Sequence, residues 1–188
     1  MIIAICGKKG SGKDTIGNYL CEKFNFIKLN FADPLKEACR NIFDLTDEQL
    51  YGDKKETIDE YWNTTPREIM QFVGTDLLRF HMKDKFPEIK NNIWVMLMEK
   101  KIINILRKNP NQHIVIADLR FINEYNLINK FGGIVFKVTK NNLYDIVGLT
   151  HQSEIEMNEI KYKYLIENNL SIDSLYETTN KIMESIIT

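Results

Sequence analysis

A chain of 188 residues, 44% hydrophobic and 27% charged, is long enough to bury one sizeable core and falls within the usual size of a single domain. Its formal net charge of −1 provides no general attraction to nucleic acid or to an anionic membrane, so any bound anion has to be held by local groups. The apolar start of the chain stops at Gly7, Lys8 and Lys9 and no longer apolar segment follows, which fits neither a signal peptide nor a membrane span and leads to an expected cytoplasmic location.

Residues 1–6 read as a buried strand, and residues 13–24, with Ile16, Leu20 and Phe24 at the spacing of one face, as a helix. A second strand is expected at 26–31, then a turn at Ala32-Asp33-Pro34 and a helix through Leu35, Ala38 and Ile42. Thr65-Pro66-Arg67-Glu68 is a helix start: Thr65 can cap, Pro66 suits the first turn and Glu68 completes a capping box, so a helix running to about Phe80 is expected. A further helix is expected over 93–106, a strand buried on both faces over 114–117 and ending at Asp118, a helix over 123–131 and a strand over 133–138. A short strand at 162–166 and a closing helix over 171–187 complete the chain. Alternating strands and helices imply a doubly wound α/β domain with a mainly parallel sheet.

Gly7-Lys8-Lys9-Gly10-Ser11-Gly12-Lys13 satisfies G-x-x-x-x-G-K between the first strand and the first helix, the setting that a phosphate loop requires. Its glycines let successive N–H groups converge on a phosphate, the helix N-terminus adds its positive end, and Lys13 can reach the β- and γ-phosphates of ATP. Asp14 stands where Ser or Thr would normally meet the magnesium ion, so direct hydroxyl ligation is in question there. Gly10, Ser11, Gly12, Lys13, Asp14 and Thr15 are the expected ATP-binding residues. The fold class that follows is the three-layer α/β fold of P-loop kinases, a mainly parallel sheet flanked by helices.

Arg occurs only at Arg40, Arg67, Arg79, Arg107 and Arg120 in a background rich in Lys, which singles out sites where a planar two-pronged donor is wanted. Arg67 and Arg79 lie 12 positions apart, too far along a straight helix to grip one phosphate as neighbours. If the ATP of the loop is the donor to a second, phosphorylated nucleotide, one is expected to face that acceptor's phosphate and the other the transferring group or the base, with Gln71 beside Arg67 at i+4. Gly74 interrupts this helix, and a close approach of an acceptor base or sugar is the expected reason. Asp118, at the carboxyl end of a buried strand, is the expected magnesium residue. Asp33 is read either as the cap of its helix or as a contact to acceptor sugar or metal. Arg40 and Arg107 are read as surface residues, and Cys6, Cys21 and Cys39 as small core side chains rather than a disulfide or zinc framework.

The stretches Phe31-Ala32-Asp33-Pro34-Leu35-Lys36, Thr65-Pro66-Arg67-Glu68, Gln71-Phe72-Val73-Gly74-Thr75-Asp76-Leu77-Leu78-Arg79 and Ile116-Ala117-Asp118-Leu119-Arg120-Phe121-Ile122-Asn123-Glu124, with the phosphate loop before them, resemble the deoxynucleoside monophosphate kinases of tailed phages and large DNA viruses. The resemblance covers the chain from Met1 to about Lys130, and His151-Gln152-Ser153-Glu154 also looks like a segment of that family. It implies ATP-dependent phosphorylation of a deoxynucleoside monophosphate with Mg2+. Lys13, Arg67, Arg79 and Arg120 are the expected catalytic cations, and Lys9, Asp33, Lys36, Arg67, Gln71, Gly74, Thr75, Arg79 and Arg120 the expected acceptor contacts. In small-molecule kinases of this kind Thr15 would serve the α-phosphate side, and Asp14 would meet a metal-bound water or make a structural contact, while Asp118 holds the metal. One kinase domain over 1–188 is expected, with an acceptor-binding helical segment at about 34–108 and a short lid at about 140–155.

A kinase acting on an already ionised phosphate needs no general base, so His151 is not assigned a catalytic role, and His81 and His113 have no Ser or Cys partner in a recognisable motif. Two rival readings remain. Animal-type phosphomevalonate kinases share a lysine-rich loop and a Pro-Leu-Lys segment, and a non-catalytic ATP-binding regulatory module would bind ATP without acceptor-stimulated turnover. Nucleic acid and membrane are not expected as partners, and pairing of the chain into a homodimer is left open.

Overall fold

A computed structural model describes residues 1–141 and 152–187, which gather into two compact units, Met1–Phe31 with Lys101–Thr188 and Ala32–Lys100. The first unit is built on five parallel strands, β1 (Ile2–Cys6), β2 (Phe26–Leu29), β3 (His113–Leu119), β4 (Ile134–Thr139) and β5 (Tyr164–Glu167), in the order β2-β3-β1-β4-β5. Every residue of β1 is buried, as a continuous apolar run in the middle of a parallel sheet demands. Ile3 pairs with Val115 and Ile134, so the β-branched side chains of three adjacent strands form one row.

Side chains alternate across a strand. One row, Ile3, Ile5, Val115, Phe136, Val138 and Ile166, packs with Ile16 and Leu20 of α1 (Lys13–Phe24) and with Leu175 and Met183 of α9 (Ile172–Ile187). Ile2, Ala4, Ile114 and Ile116 are as inaccessible on the other face. Gly17 lets α1 lie close to the sheet, since a Cβ there would stand 3.2 Å from that of Ala117. α7 (Ile122–Lys130) and α8 (Gln152–Glu159) complete this unit. Cys6 and Cys39 are fully buried and all three cysteines are free, as small core side chains should be.

The second unit holds α2 (Asp33–Phe43), α3 (Asp47–Leu50), a 3₁₀ turn at Asp53–Glu56, α4 (Pro66–Gln71) and α5 (Met82–Lys85), and α6 (Ile93–Lys108) has residues in both units. Its core is Cys39, Leu45, Leu50, Ile69, Met70 and Val73, flanked by Leu35, Phe43 and Leu78. The capping box at Thr65 forms as expected: the Glu68 N–H donates to Thr65 Oγ1 at 3.2 Å and the Thr65 N–H to Glu68 Oε2 at 2.9 Å. The helix that follows departs from expectation. It is α-helical only to Gln71 and then π-helical over Phe72–His81, the Met82 N–H reaching back to the Leu77 carbonyl. Side-chain spacing along Arg67 to Arg79 is therefore not that of a regular α-helix, and such wide turns are frequent at functional sites. The last strand also lies slightly later than expected, at Tyr164–Glu167.

Candidate functional site

At the carboxyl end of the central strand β1 the chain enters the glycine loop and leaves it as α1. Only glycine fits at Gly7: its φ is 151°, and a Cβ there would lie 2.3 Å from the Val138 carbonyl oxygen. The Ser11 N–H closes a turn on the Lys8 carbonyl at 3.2 Å, and Gly12, at φ 105°, stands at the N-cap of α1. Gly12 has no side chain with which to cap that end, and the N–H groups of a helix start suit an anion. Ser11 Oγ is fully buried and has no hydrogen-bond partner among the described residues.

Lys13 is the first residue of α1 and is 7% exposed, its Nζ donating to the Lys8 carbonyl at 2.7 Å. Burial, helped by the Arg120 guanidinium, lowers its pKa to about 8, while Asp14, Cys6 and Asp118 pull the other way. The same burial pushes the Cys6 thiol up to about 11, so it is an inert neighbour rather than a nucleophile. Lys13, Asp118 and Arg120 thus belong to one electrostatic group, which the pairing of Cys6 with Leu119 across β1 and β3 explains.

Asp118 Oδ1 accepts the Phe31 N–H at 2.9 Å, which fixes the carboxylate at the strand end. Arg120 follows on an exposed turn whose shape is set by Glu124: this 3% exposed carboxylate accepts the N–H groups of Arg120 and Phe121 at 2.9 and 3.1 Å. The sequence suggests only a helix start at Glu124, because a capping residue and a loop-shaping one share the same pattern. Asp14 is exposed and pairs with Lys28 Nζ at 2.7 Å, the structural contact that was one of its two expected roles. Thr15 is half-buried in the same helical turn.

Among the described residues no three His, Cys, Asp or Glu side chains cluster to hold a metal alone. Magnesium does not need such a cage, since one carboxylate with substrate phosphates and waters suffices, and the fixed Asp118 beside Lys13 fits that role.

In the second unit, Arg67 Nε donates to Glu56 Oε1 and Lys36 Nζ stands 4.0 Å from the centre of the Tyr51 ring. Gln71 is exposed and Thr75 half-buried, while Arg79 is buried at 9% within the π-helical stretch. Gly74 has a packing neighbour of its own: a Cβ there would meet Leu35 Cδ2 at 2.5 Å, and its carbonyl accepts the Trp94 indole N–H at 3.0 Å. One alternative needs correction. Asp33 does not cap its helix, because α2 begins at Asp33 itself with Ala32 at the N-cap.

Arg40 is bound to Asp47 at 2.5 Å, in keeping with a surface role. His81 Nδ1 lies 2.6 Å from the Asp76 carbonyl and His113 Nδ1 3.3 Å from the N-terminal ammonium, neither in a catalytic arrangement. His151 and residues 142–151 of the expected lid lie outside the described residues. Lys9 and Gly10 occupy exposed positions in the loop. A site residue with no sequence signal is Asn168, just after β5, whose Nδ2 donates to the Ser11 carbonyl at 2.9 Å from 157 residues away.

The model of one family, deoxynucleotide monophosphate kinase, matches residues 1–59 and 40–179. A candidate deoxynucleotide monophosphate kinase of Acanthamoeba polyphaga mimivirus is 40% identical over 180 residues, covering 94% of this chain and 92% of its own. Among solved structures, a dephospho-CoA kinase from Campylobacter jejuni has TM-score 0.53 at 15% identity, over 98% of this chain and 96% of that one. TT1252 from Thermus thermophilus has TM-score 0.52 at 16% identity, over 98% and 97%. These two likenesses concern the fold alone.

Proposed function

Because the chain belongs to the deoxynucleotide monophosphate kinase family, we propose that its glycine loop holds ATP and that the arginine-bearing helix of the second unit holds the monophosphate acceptor. The protein is a kinase that phosphorylates deoxynucleoside monophosphates to diphosphates. The observation that carries the donor assignment is a buried Lys13 at the uncapped start of α1, in one electrostatic group with Asp118 and Arg120.

In this reading an oxygen of the acceptor phosphate attacks the γ-phosphorus. The bond to the β–γ bridging oxygen breaks, and its electron pair leaves with ADP. Lys13 leaves the Lys8 carbonyl for the β- and γ-phosphates, where its charge counts most as negative charge grows on the bridging oxygen. The loop N–H groups of Gly10, Ser11 and Gly12 and the start of α1 hold the donor, with Thr15 on the α-phosphate side. Arg120 neutralises the transferring group.

On the acceptor side Arg67 exchanges Glu56 for the acceptor phosphate, and Arg79, Lys36, Gln71 and Thr75 orient the rest of the nucleotide, with Lys9 and Asp33 as further contacts. Asp118 would hold Mg2+, which when bound would supply positive charge to offset the charge of the phosphates. Asp14, occupied by Lys28, is at most a contact through water. No proton needs to be removed, since the acceptor phosphate is largely ionised near neutral pH.

An acceptor panel tests this reading. In a coupled assay of ADP formation, dGMP, dTMP or dCMP should stimulate turnover strongly and phosphomevalonate should not. Stimulation by phosphomevalonate alone would move the protein to the other acceptor class, and tight ATP binding with no stimulation by any monophosphate would make it a regulatory module.

A further inference from the structure

Asn168 follows β5, far in sequence from every loop motif, yet its side chain is built into the glycine loop. Its Nδ2 donates to the Ser11 carbonyl at 2.9 Å, and its own N–H donates to the Thr139 carbonyl at 2.7 Å, which fixes it to the end of β4. A Cβ at Gly12 would come within 2.5 Å of the same Nδ2, so the amide lies against the Ser11–Gly12 peptide. Next to it Asn169 Oδ1 accepts the Asn141 N–H at 2.6 Å, which fastens the turn after β5 a second time. The amide's orientation is fixed by chemistry, because only its N–H₂ can face a carbonyl oxygen.

We propose that Asn168 is a positioning residue for ATP: by holding the Ser11 carbonyl it keeps the Ser11–Gly12 peptide turned so that the Gly12 N–H is presented to the donor phosphates. The proposal rests on the assignment of the loop as the ATP site. In a planar trans peptide the C=O and N–H point in opposite directions, so anchoring one aims the other. The anchor is needed here because glycine offers little resistance to rotation of the peptide that precedes it, and Gly12 already sits at φ 105°. With that peptide turned over, a carbonyl oxygen would replace an N–H donor in the phosphate cradle and repel the anion.

Asn168→Asp gives the sharpest test, because it keeps the shape and sets a carboxylate against a carbonyl. Steady-state kinetics with ATP and the deoxynucleoside monophosphate varied in turn should show the ATP KM raised about tenfold or more. The acceptor KM should stay within about twofold of wild type, a separation that a general loss of structure would not produce. Asn168→Ala, in which water can replace the lost donor, should show the same pattern at about threefold. Direct ATP titration of both variants should reproduce these changes, and a melting curve should show both folded.

An unchanged ATP KM in folded Asn168→Asp, or equal rises for both substrates, would overturn the proposal, as would failure of both variants to fold. Should only the aspartate variant fail to fold, Asn168→Ala decides by the same criterion. Lys13→Ala in parallel keeps the two assignments apart: near-normal turnover in that folded variant would sink the loop assignment itself. Loss there with normal Asn168 variants would sink only the role of Asn168.

Discussion

Lys13 and Arg67 are both assigned to phosphate, yet they wait for it differently. Lys13 is 7% exposed and rests on a carbonyl of its own loop, while the Arg67 side chain is 36% exposed and bound to the Glu56 carboxylate. The donor loop is shaped by backbone: positive φ at Gly7, Gly10 and Gly12, a turn onto Lys8 and an amide clamp from Asn168. The region proposed for the acceptor instead holds Arg67 on a carboxylate that a phosphate would have to replace. A phosphate entering the first finds donors already directed, and one entering the second has to win an exchange.

The largest expected break in this comparison is Lys13→Ala, which removes the cation at the β–γ bridge and should lower kcat by about 10²-fold or more, with the fold retained. Near-normal turnover in the folded variant would remove the loop from the catalytic account. Arg67→Lys comes next. It keeps the charge but loses the planar fork, and misalignment of that kind costs up to about 10²-fold in acceptor kcat/KM. The ATP KM should hold, so equal losses for the two substrates would erase the division between the regions.

Asp118→Asn removes the charge expected to favour the metal and should raise the magnesium concentration for half-maximal rate by about tenfold. An unchanged titration would return Asp118 to its contact with the Phe31 N–H. A smaller effect separates the regions by pH. The lowered pKa of Lys13, about 8, means the free loop loses its cation as pH rises through that value, so ATP affinity should fall about fourfold between roughly pH 7 and 8.5. The contribution of Lys13 to stability runs the other way. The unfolded chain binds more protons between pH 8 and 10.5, so stability from this group rises across that window. ATP affinity constant to pH 9 would contradict the buried, depressed lysine.

The smallest effect is the one aimed at the exchange itself. Glu56→Gln should release Arg67 and lower the acceptor KM by about two- to threefold, since an exposed pair contributes only ~0–1 kcal/mol. A raised KM would mean that Glu56 orients Arg67 rather than competing for it.

What the sequence made legible follows the same division. The loop, the strand before it and the helix after it are encoded within residues 2–24, so local pattern sufficed, and the Thr65 capping box is equally local. The packing at Gly74 was not legible because its neighbour, Leu35, is 39 positions away and no periodicity reports such a contact. The π-helical stretch over Phe72–His81 escaped because a helical spacing of apolar residues does not tell i→i+4 from i→i+5 bonding. Asn168 gave no signal because an asparagine after a strand looks like any turn residue until the fold brings it to Ser11.

The most direct test of the central claim is to follow the label of γ-labelled ATP incubated with the protein, magnesium and a deoxynucleoside monophosphate. The account predicts label in the β-position of the deoxynucleoside diphosphate, one mole for each mole of ADP formed. Label released only as inorganic phosphate, or left in ATP whichever monophosphate is supplied, would contradict it.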